Sequence, residues 1–253
     1  MAVLRAPRVR HTPAYGENEG VPTPRVISSP NVWRWPDVYE LENRAQDADG
    51  AIWRALRAAV GPWDGAHVVD VGCGDGFHLP VFAATAGTVT GIEPHPALVA
   101  RARRRTAGLA NTTVHSGHAQ ATGLPAGSVD LVHARTAYFF GPGCEPGFDE
   151  ADRILRPGGA LAIVDLDATA APYGGWLRAD LPRYDPHAVQ AFFDRRGFST
   201  TLVDTMWRFD DRHAMESVLR IEFSAAVAAR AIAATVDLAI PVRYRLHVRL
   251  RRL

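Results

Sequence analysis

The sequence predicts an α/β fold on a mostly parallel sheet, and three observations carry that expectation. Short apolar runs alternate with helix-like stretches between about residues 62 and 166. Strands separated by helices pair in parallel through right-handed crossovers. The first apolar run, Val68-Val69-Asp70-Val71, ends in glycines at 72, 74 and 76, a turn in which bare amides can face a ligand. The chain has 253 residues, 47% of them hydrophobic and 22% charged. That is long enough to bury a core without staples and too apolar for a disordered chain.

The elements follow in order. Residues 1–36 carry prolines at 7, 13, 22, 24, 30 and 36 and read as an irregular arm. Asp37 can cap a helix running to Val60. Val38, Leu41, Ala45, Ala48, Ile52, Leu56 and Ala59 share its apolar face, and Gly61-Pro62 stops it. Strands are expected over 66–72, 88–94, 111–117, 128–134 and 160–167. Helices are expected over 77–87, 95–108 and 145–155. Beyond them, 185–197 reads as a helix and 198–209 as a strand. Residues 210–236 read as one long amphipathic helix, with Met215, Leu219, Phe223 and Val227 in line. The last stretch, from Ile240, alternates apolar and basic residues, the pattern of a half-exposed edge strand.

Composition removes several chemistries. All 28 basic residues are arginine, so a Schiff-base lysine, a phosphate-loop lysine and a Ser-Lys dyad are excluded. The formal net charge of +1 argues against a nucleic-acid partner held by phosphate neutralisation. Cys73 and Cys144 cannot build a disulfide framework. The ten histidines show no H-x-x-x-H or H-E-x-x-H spacing, so no metal is expected. No apolar run approaches about 18 residues, and the first residues show no apolar leader. A cytoplasmic protein without a membrane segment is therefore expected.

The glycine turn and its neighbours define a ligand. Glu93 ends the next strand, 21 positions beyond Gly72. A carboxylate so placed can accept both hydroxyls of a ribose. The dinucleotide fingerprint G-x-G-x-x-G requires glycine at 77, where Phe77 stands. That weakens a dinucleotide reading and leaves a nucleoside-containing ligand, seated at the carboxyl ends of parallel strands.

Four segments, VVDVGCGDG, GIEP, GSVDLVHAR and LRPGGALAIVD, occur in this order over residues 66–166. In them the chain resembles the class I S-adenosylmethionine-dependent methyltransferases. The resemblance implies a Rossmann-like methyltransferase fold: a doubly wound, mostly parallel seven-stranded sheet with one antiparallel strand. An N-terminal arm and helix, and a C-terminal helical insertion, would be added to it. After the arm, 37–253 would form a single domain, with a cofactor core at 62–166 and covering elements at 168–185 and 210–236. The implied cofactor is S-adenosylmethionine. Asp70, Gly72, Cys73 and Gly74 would face its methionine and ribose, and Glu93 its ribose hydroxyls. Pro94 would pack near the adenine. Ala134 and Arg135 would lie near the methionine amino end. The family usually reads G-D-A after the third strand; here the text is Gly117-His118-Ala119. Either His118 accepts from the adenine amino group as a neutral imidazole, or it points elsewhere and only the Ala119 amide contacts the adenine.

The acceptor is less legible. Methyl transfer from a sulfonium is an in-line displacement helped chiefly by positioning in a dry pocket. His133, Tyr138, Glu145, Asp165 and Asp167 follow the fourth and fifth strands, where the crevice forms. They are candidate bases or positioners, and for each an ordinary structural bond is the competing role. Aromatic residues collect outside the shared core, among them Trp33, Tyr39, Tyr173 and Trp176, so the arm and residues 168–185 are expected to close over a small-molecule acceptor such as a secondary metabolite. The 210–236 helix suits either that cover or a homodimer contact. An RNA- or protein-directed methyltransferase and a non-catalytic cofactor-binding module remain the alternatives.

Overall fold

Val68, Val69 and Val71 are almost fully buried, as expected of a strand covered on both faces. In the computed structural model, which describes Val26 and residues 29–252, they lie in β1 (His67–Val71) at the centre of one sheet. Around it stand β2 (Thr88–Glu93), β3 (Thr112–Ser116), β4 (Val129–Arg135), β5 (Leu155–Leu166), β6 (Ser199–Arg208) and β7 (Ala239–Leu250). The order is β3-β2-β1-β4-β5-β7-β6. The first five strands pair in parallel, and β7 runs antiparallel to both β5 and β6. The strand order reverses between β1 and β4, where ligands bind in open α/β sheets.

Helices cover both faces. On one face lie α3 (Ala51–Val60), α4 (Leu79–Ala83), α5 (Pro96–Arg105) and α9 (Arg212–Glu222). Their Leu56, Phe82, Ala102 and Leu219 join Val68 and Val164 in one core. On the other face α6 (Glu145–Ile154) and α8 (Pro186–Arg195) bury Phe148, Phe192 and Phe193 with Val69, Val132 and Ile163. The remaining helices are α1 (Pro30–Arg34), α2 (Pro36–Ala45), α7 (Tyr173–Asp180) and α10 (Ala225–Ala234). Among the described residues no helix is long and apolar enough to cross a membrane.

Four expectations are corrected. The expected irregular arm is helical from Pro30; its residues 1–25 and 27–28 lie outside the described residues. The helix expected over 37–60 is two, α2 and α3, because Asp47 (φ 51°) and Gly50 (φ 66°) both take the left-handed conformation. The Asp47 carboxylate accepts the Ile52 amide at 3.0 Å and the Thr205 hydroxyl at 3.1 Å, which fixes the break. The helix expected over 210–236 parts at an extended Phe223, where the Ser224 amide donates to Asp180 at 2.9 Å. The strand expected at an edge, β7, lies inside the sheet, and β6 takes the edge. The arginines of β7 that suggested solvent are neutralised by neighbours: Arg243 by Asp204, Arg245 by Asp167 and Arg249 by Asp152.

Candidate functional site

The glycine turn after β1 is shaped by close approach. Gly72, Gly74 and Gly76 have φ of 74°, 58° and 83°, which L side chains rarely adopt. A Cβ on Gly72 would stand 2.5 Å from the Ala137 methyl, so the turns after β1 and β4 touch there. Glu93 closes the other side. It is 3% exposed; Oε2 accepts the Gly74 amide at 3.1 Å and Oε1 the His95 amide at 2.9 Å. Burial pushes its carboxyl above the usual range, against the pull of those two bonds.

The expected adenine side collects next to Glu93. The Gly117 amide donates to the Glu93 carbonyl at 3.2 Å, which brings His118 and Ala119 alongside Pro94. The buried Nδ1 atoms of His95 and His118 have no hydrogen-bond partner, an open bonding capacity that calls for a ligand. α1 roofs this corner: Val32 lies against Gly74, and the Trp33 ring stands 4.7 Å from that of His95. Ala134 is fully buried at the end of β4. After Arg135 the chain bends through Thr136 (φ 46°) and Tyr138 (φ 56°). Two non-glycine residues held in the left-handed region mark a strained turn of the kind found at binding sites.

Several expected site residues also have structural partners. Asp70 Oδ1 pairs with His133 Nδ1 at 2.7 Å, while its charge is felt at Cys73 and Glu93 of the turn, and His133 is sealed by Trp53 and Phe82. Cys73 packs its sulfur toward Gly91, and burial raises its thiol well above the usual range. Tyr138 lays its ring on Gly147, and burial lifts its phenol to about 12. Asp167 is bound by Arg245 at 2.7 Å and by the Thr169 hydroxyl at 2.6 Å. Glu145 pairs with Arg196 at 2.6 Å. Among the described residues, Asp165 is the candidate carboxylate without an ion pair; burial raises it to about 6 against the charge of Arg245, which stands opposite it in the sheet. It alternates with Val164, so it faces α8 and the Tyr184 side of the sheet.

A polar cluster that sequence reasoning missed, the roofed chamber of this fold, joins Arg135 of β4, Trp207 of β6 and Tyr244 of β7 to the helices beside the glycine turn. Arg135 Nη2 donates to Gln46 at 2.9 Å, and Gln46 donates to Glu42 at 2.7 Å. Glu42 faces Glu222, whose oxygens accept Asn31 at 2.5 Å and the Tyr173 hydroxyl at 2.6 Å. Tyr39 reaches Thr136 at 3.5 Å, and Trp207 donates to the Tyr244 hydroxyl at 2.9 Å. Four helices thus meet here: α1, α2, α7 and α9. One signal was available: Glu42 and Gln46 sit one turn apart on the inward side of α2. Nothing local linked them to Glu222, 180 positions later. A separate groove of about 400 Å³, lined by Asp49, Ala171, Asp204, Met206 and Arg243, contains none of these residues.

Comparison with known proteins agrees with this geometry. The family described as "Methyltransferase domain" matches residues 69–163. An uncharacterised protein of Mycobacterium tuberculosis is 30% identical over 149 residues, covering 54% of each chain. The malonyl-[acyl-carrier protein] O-methyltransferase of Enterobacter lignolyticus is 30% identical over 167 residues, 64% of this chain and 60% of that protein. The chain spans about half the length of the first of these curated relatives. Among solved structures, the YcgJ protein of Bacillus subtilis superposes with a TM-score of 0.58 at 17% identity, over 81% of this chain and 99% of that one. The glycine turn and the strand order lie within or around residues 69–163, the stretch that matches the methyltransferase domain model.

Proposed function

We propose that the protein transfers a methyl group from S-adenosylmethionine to a small-molecule acceptor held beneath α1, α2, α7 and α9. The juxtaposition of the glycine turn and Glu93 with the aromatic, acid-lined chamber across the strained β4 turn carries this reading. When bound, S-adenosylmethionine supplies the methyl group as an already activated sulfonium. The residues present fit it. Glu93 can exchange its Gly74 bond for ribose hydroxyls, and His118 offers a buried, unpaired Nδ1 beside the Ala119 amide for the adenine. Pro94 flanks the base, while Ala134 and Arg135 end the strand nearest the methionine. The chain's contribution to the chemistry is orientation and exclusion of water, provided by the buried rings of Tyr173, Trp207 and Tyr244.

A small acceptor is favoured over RNA by the state of the arginines beside the turn. On α5, Arg101 is tied to Asp37, Arg103 to the Val114 carbonyl and Arg105 to both Glu40 and Asp75. A phosphate backbone needs free cations, and these are committed. Titration calorimetry of the full chain tests the proposal. S-adenosylmethionine is expected to bind while a nicotinamide dinucleotide does not. Glu93→Ala is expected to weaken binding about tenfold or more, since a charge-assisted hydrogen bond contributes about 1.5–3 kcal/mol. Dinucleotide binding without S-adenosylmethionine binding would overturn the reading.

A further inference from the structure

The chamber places two carboxyl groups against each other under the roof helices. Glu42 is 3% exposed, and its Oε2 has no donor within reach. What faces it is Glu222, already holding Asn31 and Tyr173. The neighbouring cation is Arg135, 8% exposed, with Nη2 given to Gln46 and a buried Nε without a partner. The phenols of Tyr39 and Tyr173 feel both carboxyls, and Tyr244 lies below Arg135. Burial first, and then the charge of Glu222, hold the Glu42 carboxyl well above the usual range. Like charges in contact cannot both ionise at ordinary cost. Burial and the contact between the two carboxyls therefore favour a proton retained on Glu42. This charge balance favours one more positive charge and opposes a negative one.

Resting on the methyl-transfer reading above, we infer that the acceptor is a basic amine, held as its ammonium ion between Glu42 and Glu222, and that the same carboxyl pair takes up the proton that methylation releases. On entry the ammonium charge replaces the retained proton, which passes from Glu42 to solvent. The aromatic rings around it favour a cation further. Before transfer the amine gives one N–H proton to the carboxylate pair. The nitrogen lone pair then forms the new N–C bond while the S–C electron pair stays on sulfur, which leaves as a neutral thioether. Positive charge thus moves from sulfur to nitrogen, toward the carboxylates, an interaction that strengthens as the bond forms. The methylated ammonium departs, and the pair keeps the proton it took from the amine, which restores its resting state; the one proton released per turnover is that lost on entry. An anionic acceptor would place a third negative charge in the chamber and is rejected.

Three probes that share one ring and differ in charge test this: benzylamine, benzyl alcohol and benzoate. Each is titrated by calorimetry into the full chain saturated with S-adenosylhomocysteine, in two buffers of different ionisation heat. Benzylamine is expected to bind at least about tenfold more tightly than the alcohol, with release of a proton, and benzoate not to compete. Glu42→Gln keeps the side-chain shape and the neutral state. It is expected to abolish the proton release and weaken the amine about tenfold, with S-adenosylhomocysteine binding intact. Alcohol or benzoate binding as tightly as the amine overturns the inference. So does an undetectable amine heat in cofactor-bound protein, or an unaltered amine affinity in Glu42→Gln. Failure of S-adenosylhomocysteine itself to bind would instead strike the methyl-transfer reading.

Discussion

Single residues show how sharply the turn is specified. Gly72→Ala must place a methyl 2.5 Å from that of Ala137 at φ 74°, whereas Gly123 has φ 76° with nothing within 4 Å. Gly123→Ala is expected to cost only the left-handed penalty, about 1–2 kcal/mol. Gly72→Ala should add about 1–3 kcal/mol of overpacking, read as a lower urea midpoint. Half-buried Asp165 and buried His247 set opposing pH dependences. Asp165 is raised to about 6 by burial, so its stabilisation is complete below pH 4 and is lost as pH rises through 6. His247 is 1% exposed, stacked on Phe193 at 4.1 Å and lowered to about 4, chiefly by burial. Its contribution is present above pH 6.5 and lost as pH falls through 4. Each is worth about 3 kcal/mol at most. Asp165→Asn should therefore steepen acid destabilisation, and His247→Asn should leave stability rising on acidification; unfolding curves at pH 4 to 7 decide. At this scale the sequence exposed Gly72 and Glu93, because a backbone conformation and a strand end leave residue-type signatures. It did not reveal that Asp70 would turn to His133. That pairing depends on β1 and β4 standing in register, Asp70 opposite His133, across 63 positions.

Secondary-structure elements were legible wherever burial followed their period. The parallel core reads as apolar runs because helices cover both its faces. β7 misled because alternating arginines look the same whether water or an acid answers them. Arg245 is 5% exposed and donates to Asp167, itself 1% exposed. Thr169 and Arg245 hold that carboxyl below the usual range despite burial. Arg245→Met should cost about 3–5 kcal/mol by stranding a buried charge, and adding Asp167→Asn should restore much of it; a double-mutant cycle on thermal unfolding measures the difference. The α2–α3 break was hidden for a related reason. The apolar stripe continues past it, while the two left-handed residues that turn the chain, Asp47 and Gly50, are fixed in part by Thr205 on a distant strand.

At the scale of the whole molecule, the chamber joins parts of the chain that no local pattern connects: Asn31 and Glu42 from its beginning, Arg135 from its middle, Glu222 and Tyr244 from its last third. Such a site is invisible to spacing arguments, whereas the cofactor turn is written within 25 residues. Because the roof helix α1 touches the turn through Val32, cofactor binding should stabilise the assembly as a unit. At a hundredfold excess over Kd, S-adenosylhomocysteine is expected to add about 2.7 kcal/mol and raise Tm by roughly 5–10 °C in a scanning calorimeter. The placement of β7 has one more consequence, for the order of assembly. Its neighbour β6 has no other strand to pair with, and β5 keeps a bare edge until residues 239–250 arrive. The last of the seven strands in chain order is thus the keystone of two earlier ones. A nascent chain halted before Ala239 should hold β1 to β5 together while β6 stays unpaired and open to proteolysis.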